Sequence, residues 1–275
     1  MRVIPPSLFK YVTAERLDII LNRAIAFTPP NRFNDLFDVR PEVKPITETA
    51  FLRKRAKEAE RKFLKSLPRN QRPRTKSQRI KIFRGLRAGA VDYFQGQAQD
   101  FAVSHEAQLQ DEISKVYGIL CFSEVSPDAS DDAALMWAHY ANSHRGIVLE
   151  FDTSHPSFQA LGNLEKVEYQ PDRPIYDAVN GAKGFWRRKT NEWKYEQEWR
   201  VSCPLSECKQ RRVKEVTIYL APLSPASIKA VYLGLRSDDE LTKKIRAAVR
   251  GTTTIPYRAY MDKGVSKLAF RKLQP

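Results

Sequence analysis

Glu196 and Glu198 are separated by one residue, followed by Arg200 after another. On an extended strand, side chains two apart share a face, with about 6–7 Å of backbone between them. Two carboxylates so close repel when both are ionised, so the arrangement costs stability unless a cation or a function compensates. Arg200 on the same face can supply that cation, and the trio then reads either as an acid/base site or as an ion-pair network. Other polar groups sit beside aromatic residues at the ends of apolar runs: Lys10-Tyr11, Thr28 with Phe33-Asn34-Asp35, Cys121-Phe122-Ser123, Trp137 with His139-Tyr140, and Trp193 onward. Each also has a plainer account. Asn-Asp after Phe33 is an ordinary Asx turn, and the helical-looking MWAHY stretch packs naturally into a core. A second chemistry is open to Asp35, Asp38, Glu192 and Lys194, which could surround a hard divalent cation in a metal-dependent nuclease.

The elements that would carry these residues are short. SLFKYV (7–12) and AIAFT (24–28) read as strands, with Thr13 as an N-cap for a helix over AERLDIILNRA. Pro29-Pro30 ends the second strand. VYGILCFS (116–123), RGIVLEFD (145–152), KVEYQ (166–170) and YEQEWRVSC (195–203) read as further strands, the last carrying both glutamates and Arg200. ALMWAHYA (134–141) reads as a short helix. VTIYLA, SIKAVYLGL, a helix at 238–250 and TIPYRAYMD complete the pattern. The sum is an α+β protein with a mixed, mostly antiparallel sheet, a single domain over 1–275 interrupted by a helical insertion at 48–115.

Charge marks that insertion. From Arg53 to Arg87 fifteen Lys/Arg face two acids, so this segment holds +13 of the chain's +15. A dense basic segment fits an approaching polyanion, nucleic acid first of all, or else an exposed face that keeps the protein soluble. Arg72, Arg74, Lys76, Arg79 and Lys81 are the candidate phosphate contacts. Hydrophobic residues at 42% suffice for a core. Three cysteines are too few and too unevenly spaced for a disulfide framework or a zinc site. The absence of a long apolar run and of a leader-like N-terminus leads to the expectation of a cytoplasmic protein.

LFKY, AFTPPNRFNDLFD, ILCFSE, ALMWAHYANSHRGIVLEF and EWKYEQEWR together resemble a widespread bacterial family catalogued as a domain of unknown function. The order also resembles, more distantly, the ADP-ribosyltransferase fold of nucleic-acid-modifying bacterial toxins. That likeness implies NAD as the donor and a toxin or anti-phage role, with an acidic antitoxin as a candidate partner. It implies Glu198 as the catalytic glutamate, with Glu196 on the acceptor side. Lys10, Tyr11, Thr28, Asn34, Ser123, Trp137, His139 and Tyr140 are then expected around NAD, Trp137 or Tyr140 stacking on nicotinamide or a base. Lys10 stands where that fold usually has His or Arg. Cleavage of the nicotinamide–ribose bond builds positive charge on the ribose, which a carboxylate stabilises. It needs no metal, and no Gly-rich dinucleotide fingerprint is present. The rival expectations are the nuclease above and a non-catalytic nucleic-acid-binding module.

Overall fold

The computed structural model describes residues 3–44, 49–80, 83, 100, 104–106, 108–129, 131–177, 184–264 and 267–274. Fifteen strands are assigned among them: β1 Ser7–Val12, β2 Ala24–Phe27, β3 Glu42–Lys44, β4 Tyr117–Ser123, β5 Ile147–Asp152, β6 Leu164–Lys166, β7 Glu168–Gln170, β8 Ile175–Asp177, β9 Arg188–Thr190, β10 Glu198–Pro204, β11 Lys209–Val213, β12 Val216–Pro222, β13 Ile228–Leu233, β14 Ile255–Met261 and β15 Leu268–Lys272. The chain divides into two compact units, one of residues 1–38, 112–172 and 187–275, the other of 39–111 and 173–186.

The first unit is built on an eight-stranded sheet in the order β15-β14-β13-β5-β1-β4-β10-β6. Every neighbouring pair is antiparallel except β13 and β14. The parallel pair requires a crossover, which the helix Asp239–Val249 provides. Asp238 caps it by accepting from Leu241 N, and Leu241, Ile245 and Val249 turn one face into the core. The fold is therefore α+β with a mixed, mostly antiparallel sheet. Smaller sheets β11-β12-β2 and β7-β9 complete this unit.

The period-two pattern of the central strands sorts side chains to two cores. Leu8, Val12, Leu149, Phe151 and Val201 join the larger one, while Phe9, Tyr11 and Val148 meet the helix Asp131–Tyr140 on the other face. That helix buries Ala133, Met136 and Trp137 at helical spacing. It ends in three consecutive left-handed residues, Asn142, Ser143 and His144, followed by Gly146. A Cβ on Gly146 would lie 2.2 Å from the Val12 carbonyl oxygen, so glycine alone lets the turn close onto β1. After Val12 the expected helix shrinks to a 3-10 turn, Ala14–Leu17, and one α-turn, Asp18–Leu21, and Thr13 makes no side-chain cap.

In the second unit, β3 and β8 form a parallel pair, and the helix Thr49–Ser66 carries much of the basic segment. Among the described residues no helix is long and apolar enough to cross a membrane.

Candidate active site

Glu198 opens β10, and Arg200 follows it on the same face as the alternation requires. Glu196 is placed differently from the expectation. It closes a 3-10 turn, Asn191–Glu196, and Gln197 between the glutamates is left-handed, φ 47°. A non-glycine residue held there costs about 1–3 kcal/mol and persists only when its surroundings fix it. They do: Gln197 Nε2 donates to Asp132 Oδ2 (3.1 Å) and its carbonyl accepts from Glu124 N. The chain therefore turns a corner between the carboxylates, and they meet around a third residue rather than along a strand.

That residue is Lys189, the middle of β9. Its Nζ lies 2.6 Å from Glu196 Oε2, 3.5 Å from Glu198 Oε2 and 3.5 Å from Asp38 Oδ2. Arg200 grips Glu198 through Nε (2.9 Å) and Nη2 (2.8 Å), and Asp38 through Nη1 (2.9 Å) and Nη2 (2.6 Å). Tyr140 donates its hydroxyl to Glu196 Oε1. All five charged side chains are buried.

Within this cluster three carboxylates face two cations, so full ionisation leaves one negative charge in excess. Burying an unbalanced charge is costly, and the cheapest relief is one proton on the carboxylate with the weakest cationic support. Asp38 and Glu198 both hold the Arg200 fork; among the described residues the Glu196 carboxylate meets the Lys189 ammonium and the Tyr140 phenol. Burial, then the neighbouring charge of Glu198, accordingly raise Glu196 to about 7. Burial pushes Glu198 up as well, but Arg200 and then Lys189 outweigh it and hold Glu198 down at about 2. Lys189 is penalised by burial and still driven above the usual lysine range, because Glu198, Asp38 and Glu196 surround it. Two carboxylates of opposite protonation tendency, side by side, are the arrangement that divides acid and base roles in enzymes.

The cluster floors a cavity of about 340 Å³. Lys10, Thr28 and Glu198 all line it, as do Tyr11, Asn34, Ser123, His139, Tyr140 and Glu196. Lys10 donates to the Cys121 carbonyl (2.8 Å) and lies over the Phe122 ring, and burial lowers its pKa. Thr28 is fixed by a two-way backbone pairing with Ile119. Tyr11 and Ser123 are largely committed to the scaffold: Tyr11 donates to the Val125 carbonyl (3.0 Å), and Ser123 Oγ donates to the Glu196 carbonyl (2.5 Å) and accepts from Val125 N (3.0 Å). His139 and Asn34 stand exposed at the cavity.

Trp137 does not belong to this wall. It is fully buried, its indole donates to the Pro127 carbonyl (3.2 Å), and its ring stacks with His144. The helix carries Met136, His139 and Tyr140 to the cavity and turns Trp137 away from it, since 100° separates consecutive helical residues. The aromatic walls are instead Phe9, Phe33 and Phe122 with Tyr140. Lys189 and Arg32 also line the cavity and were not singled out from the sequence. Lys189 sits in the run Arg187-Arg188-Lys189, where nothing in the residue types separates the buried cation from its two partly exposed neighbours.

The four residues considered for a metal-dependent nuclease are not gathered in one cavity. Asp38 belongs to the ion cluster, Asp35 accepts from Phe37 N in an Asx turn, Glu192 is exposed, and Lys194 lines a different pocket. Among the described residues no three His, Cys, Asp or Glu side chains are grouped as a metal site requires. In the second unit, Arg72 donates to the Leu67 and Lys65 carbonyls and Arg79 pairs with Glu60 (2.8 Å). Arg74 and Lys76 are exposed, and Lys81 lies outside the described residues.

Residues 136–201 match a family described as a protein of unknown function, DUF2971. The match covers Tyr140, Lys189, Glu196, Glu198 and Arg200, that is, most of the ion cluster. No curated protein and no solved structure matches the chain.

Proposed function

We propose that this protein is an ADP-ribosyltransferase-like enzyme that takes the ADP-ribosyl group from NAD. The observation that carries the reading is the convergence of Lys10, Thr28, Glu196 and Glu198 on one cavity with aromatic walls. A cavity of about 340 Å³ suits a ring and its sugar, with the remainder of a dinucleotide running out of the mouth. Phe9, Phe33, Phe122 and Tyr140 offer apolar surface for the nicotinamide ring. Glu198, held anionic, is suited to orient the ribose hydroxyls and to offset positive charge on the sugar as its bond to nicotinamide breaks. Its Oε1 accepts from Arg200 Nε, and its Oε2 from Arg200 Nη2 with Lys189 Nζ 3.5 Å away, so a ribose hydroxyl would meet a carboxylate already oriented by two cations. Glu196, near neutrality in its proton affinity, is suited to take the proton that the acceptor releases when its oxygen or nitrogen attacks the ribose. Arg200, Lys189 and Asp38 act through the glutamates by holding them in place.

For the acceptor we favour nucleic acid, because the basic segment supplies a sequence-independent attraction for phosphate. Purified protein incubated with NAD and a chelator is expected to release nicotinamide, and to do so faster with RNA or DNA present. Cutting of nucleic acid that requires added metal, with NAD untouched, supports the nuclease instead. Binding of nucleic acid with neither reaction supports the binding module.

A further inference from the structure

The helix Asp131–Tyr140 separates two cavities. Met136, His139 and Tyr140 face the one that holds the glutamates; Ala133, Ala134 and Trp137 face another, of about 320 Å³. The second is lined by Ala129, Ala133, Ala134, Leu235, Met261 and Leu268, with Trp137 behind them fully withdrawn from water. This apolar lining is joined by two cations, Arg236 and Lys267, and by His144. Among the described residues no acidic side chain lines it. Three acids near it in sequence have partners of their own: Asp128 takes the Ser126 hydroxyl, Asp132 takes Gln197 and Asp262 takes Lys263 N. The walls are fixed, since His144 N donates to Trp137 O and Arg236 N donates to His144 O (2.9 Å). His144 Nδ1 is shielded from water and has no hydrogen-bond partner. Desolvation and the Arg236 charge lower the pKa of that imidazole.

We infer that this cavity is a second ligand site, for a small carboxylate with a flat or branched apolar body. The apolar lining takes the body, and Arg236 and Lys267 take the charge, which they can reach without first breaking an ion pair with a described residue. A cationic ligand would meet two like charges, and an uncharged one would leave both cations unused. A doubly charged phosphate ester is disfavoured by the apolar lining, where its oxygens would lose water without enough donors to replace it. The inference is independent of the reading of the glutamate cavity.

Benzoate is a suitable probe, with benzyl alcohol as its uncharged counterpart. In protein labelled with 5-fluorotryptophan, benzoate should give a saturable shift of the Trp137 fluorine resonance and leave Trp193, in the turn before Glu196, in place. Benzyl alcohol should bind at least roughly tenfold more weakly, the worth of about one charge-assisted hydrogen bond. The double variant Arg236→Gln/Lys267→Gln changes only exposed positions, so it should fold normally and lose benzoate affinity by roughly tenfold or more. Ala134→Phe, which fills the cavity from an exposed position, should abolish the shift. Absence of a saturable shift, equal binding of benzyl alcohol, or unchanged benzoate affinity in the double variant each overturns the inference.

Discussion

Replacing Glu196 by glutamine should stabilise the protein at alkaline pH. An ordinary buried carboxylate in contact with a lysine would behave in the opposite way, since removing its charge strands the cation. Here three buried carboxylates share two cations, and the fold holds the proton affinity of Glu196 at about 7 instead of the 4.5 of a free glutamate. A raised carboxyl pKa means that the native state prefers the protonated form. Its stabilising contribution is complete below pH 4.5 and is lost as pH rises through about 7. The loss is about 2.5 pH units at about 1.4 kcal/mol each, or about 3–4 kcal/mol. Glutamine carries no titrating proton, keeps the carbonyl for Lys189 and can donate to the Tyr140 oxygen, so it mimics the protonated carboxyl. At pH 5 the variant and the natural protein should have similar melting temperatures. At pH 8 the variant should melt higher, by roughly 6–16 °C on a scale of about 2–4 °C per kcal/mol. Glu198, held down by Arg200, contributes its own loss below pH 4.5 in both proteins, so the difference between their curves isolates Glu196. Thermal scans monitored by near-ultraviolet circular dichroism between pH 5 and 8.5 provide the measurement. A variant that melts lower than the natural protein by the same amount at pH 5 and pH 8 would refute the charge balance drawn from Asp38, Lys189, Glu196, Glu198 and Arg200.

Further outcomes follow from the same geometry. Glu198→Gln should reduce NAD turnover by at least about a hundredfold in protein that remains folded, because Asp38 still engages Arg200; near-normal turnover removes Glu198 from the chemistry. Trp137→Ala should lose about 3–5 kcal/mol of stability and leave the Michaelis constant for NAD unchanged, since the ring is enclosed by His144, Tyr11 and Phe270 rather than facing the glutamate cavity; the two measurements on one variant decide it. Replacement of Arg72, Arg74, Lys76, Arg79 and Lys81 by glutamine should flatten the salt dependence of nucleic-acid binding from an expected log–log slope of about −4 to −5, and weaken all sequences alike. An unchanged slope assigns the charge to solubility or to an acidic protein partner.

The strands were the legible part of this fold because their signal is local. SLFKYV, AIAF and IVLEFD carry enough apolar and β-branched residues to specify extended chain wherever they pair. The pairing order, which sets β1 between β5 and β4 and brings β10 to β4, depends on contacts between residues more than seventy positions apart and leaves no local mark. At the site, the Glu198–Arg200 face could be read from the two-residue period. The corner at Gln197 could not, because glutamine carries none of the usual signs of a left-handed residue and is fixed there by Asp132 from another element. Lys189 was equally hidden: a basic run reads as solvated surface, and only the assembled carboxylates single out its middle member. Trp137 shows the converse. A tryptophan beside His139 and Tyr140 looks like a cavity wall in one dimension, and the helical rotation between neighbours carries it to the opposite side.

The most direct test of an NAD-cleaving centre built on Glu196 and Glu198 is release of nicotinamide from NAD by the purified protein in the presence of a metal chelator, compared with the Glu198→Gln protein under identical conditions. Steady release by the natural protein that falls by at least about a hundredfold in the variant is the expected result. No release by folded natural protein, with or without RNA and DNA, or equal release by both proteins, contradicts it.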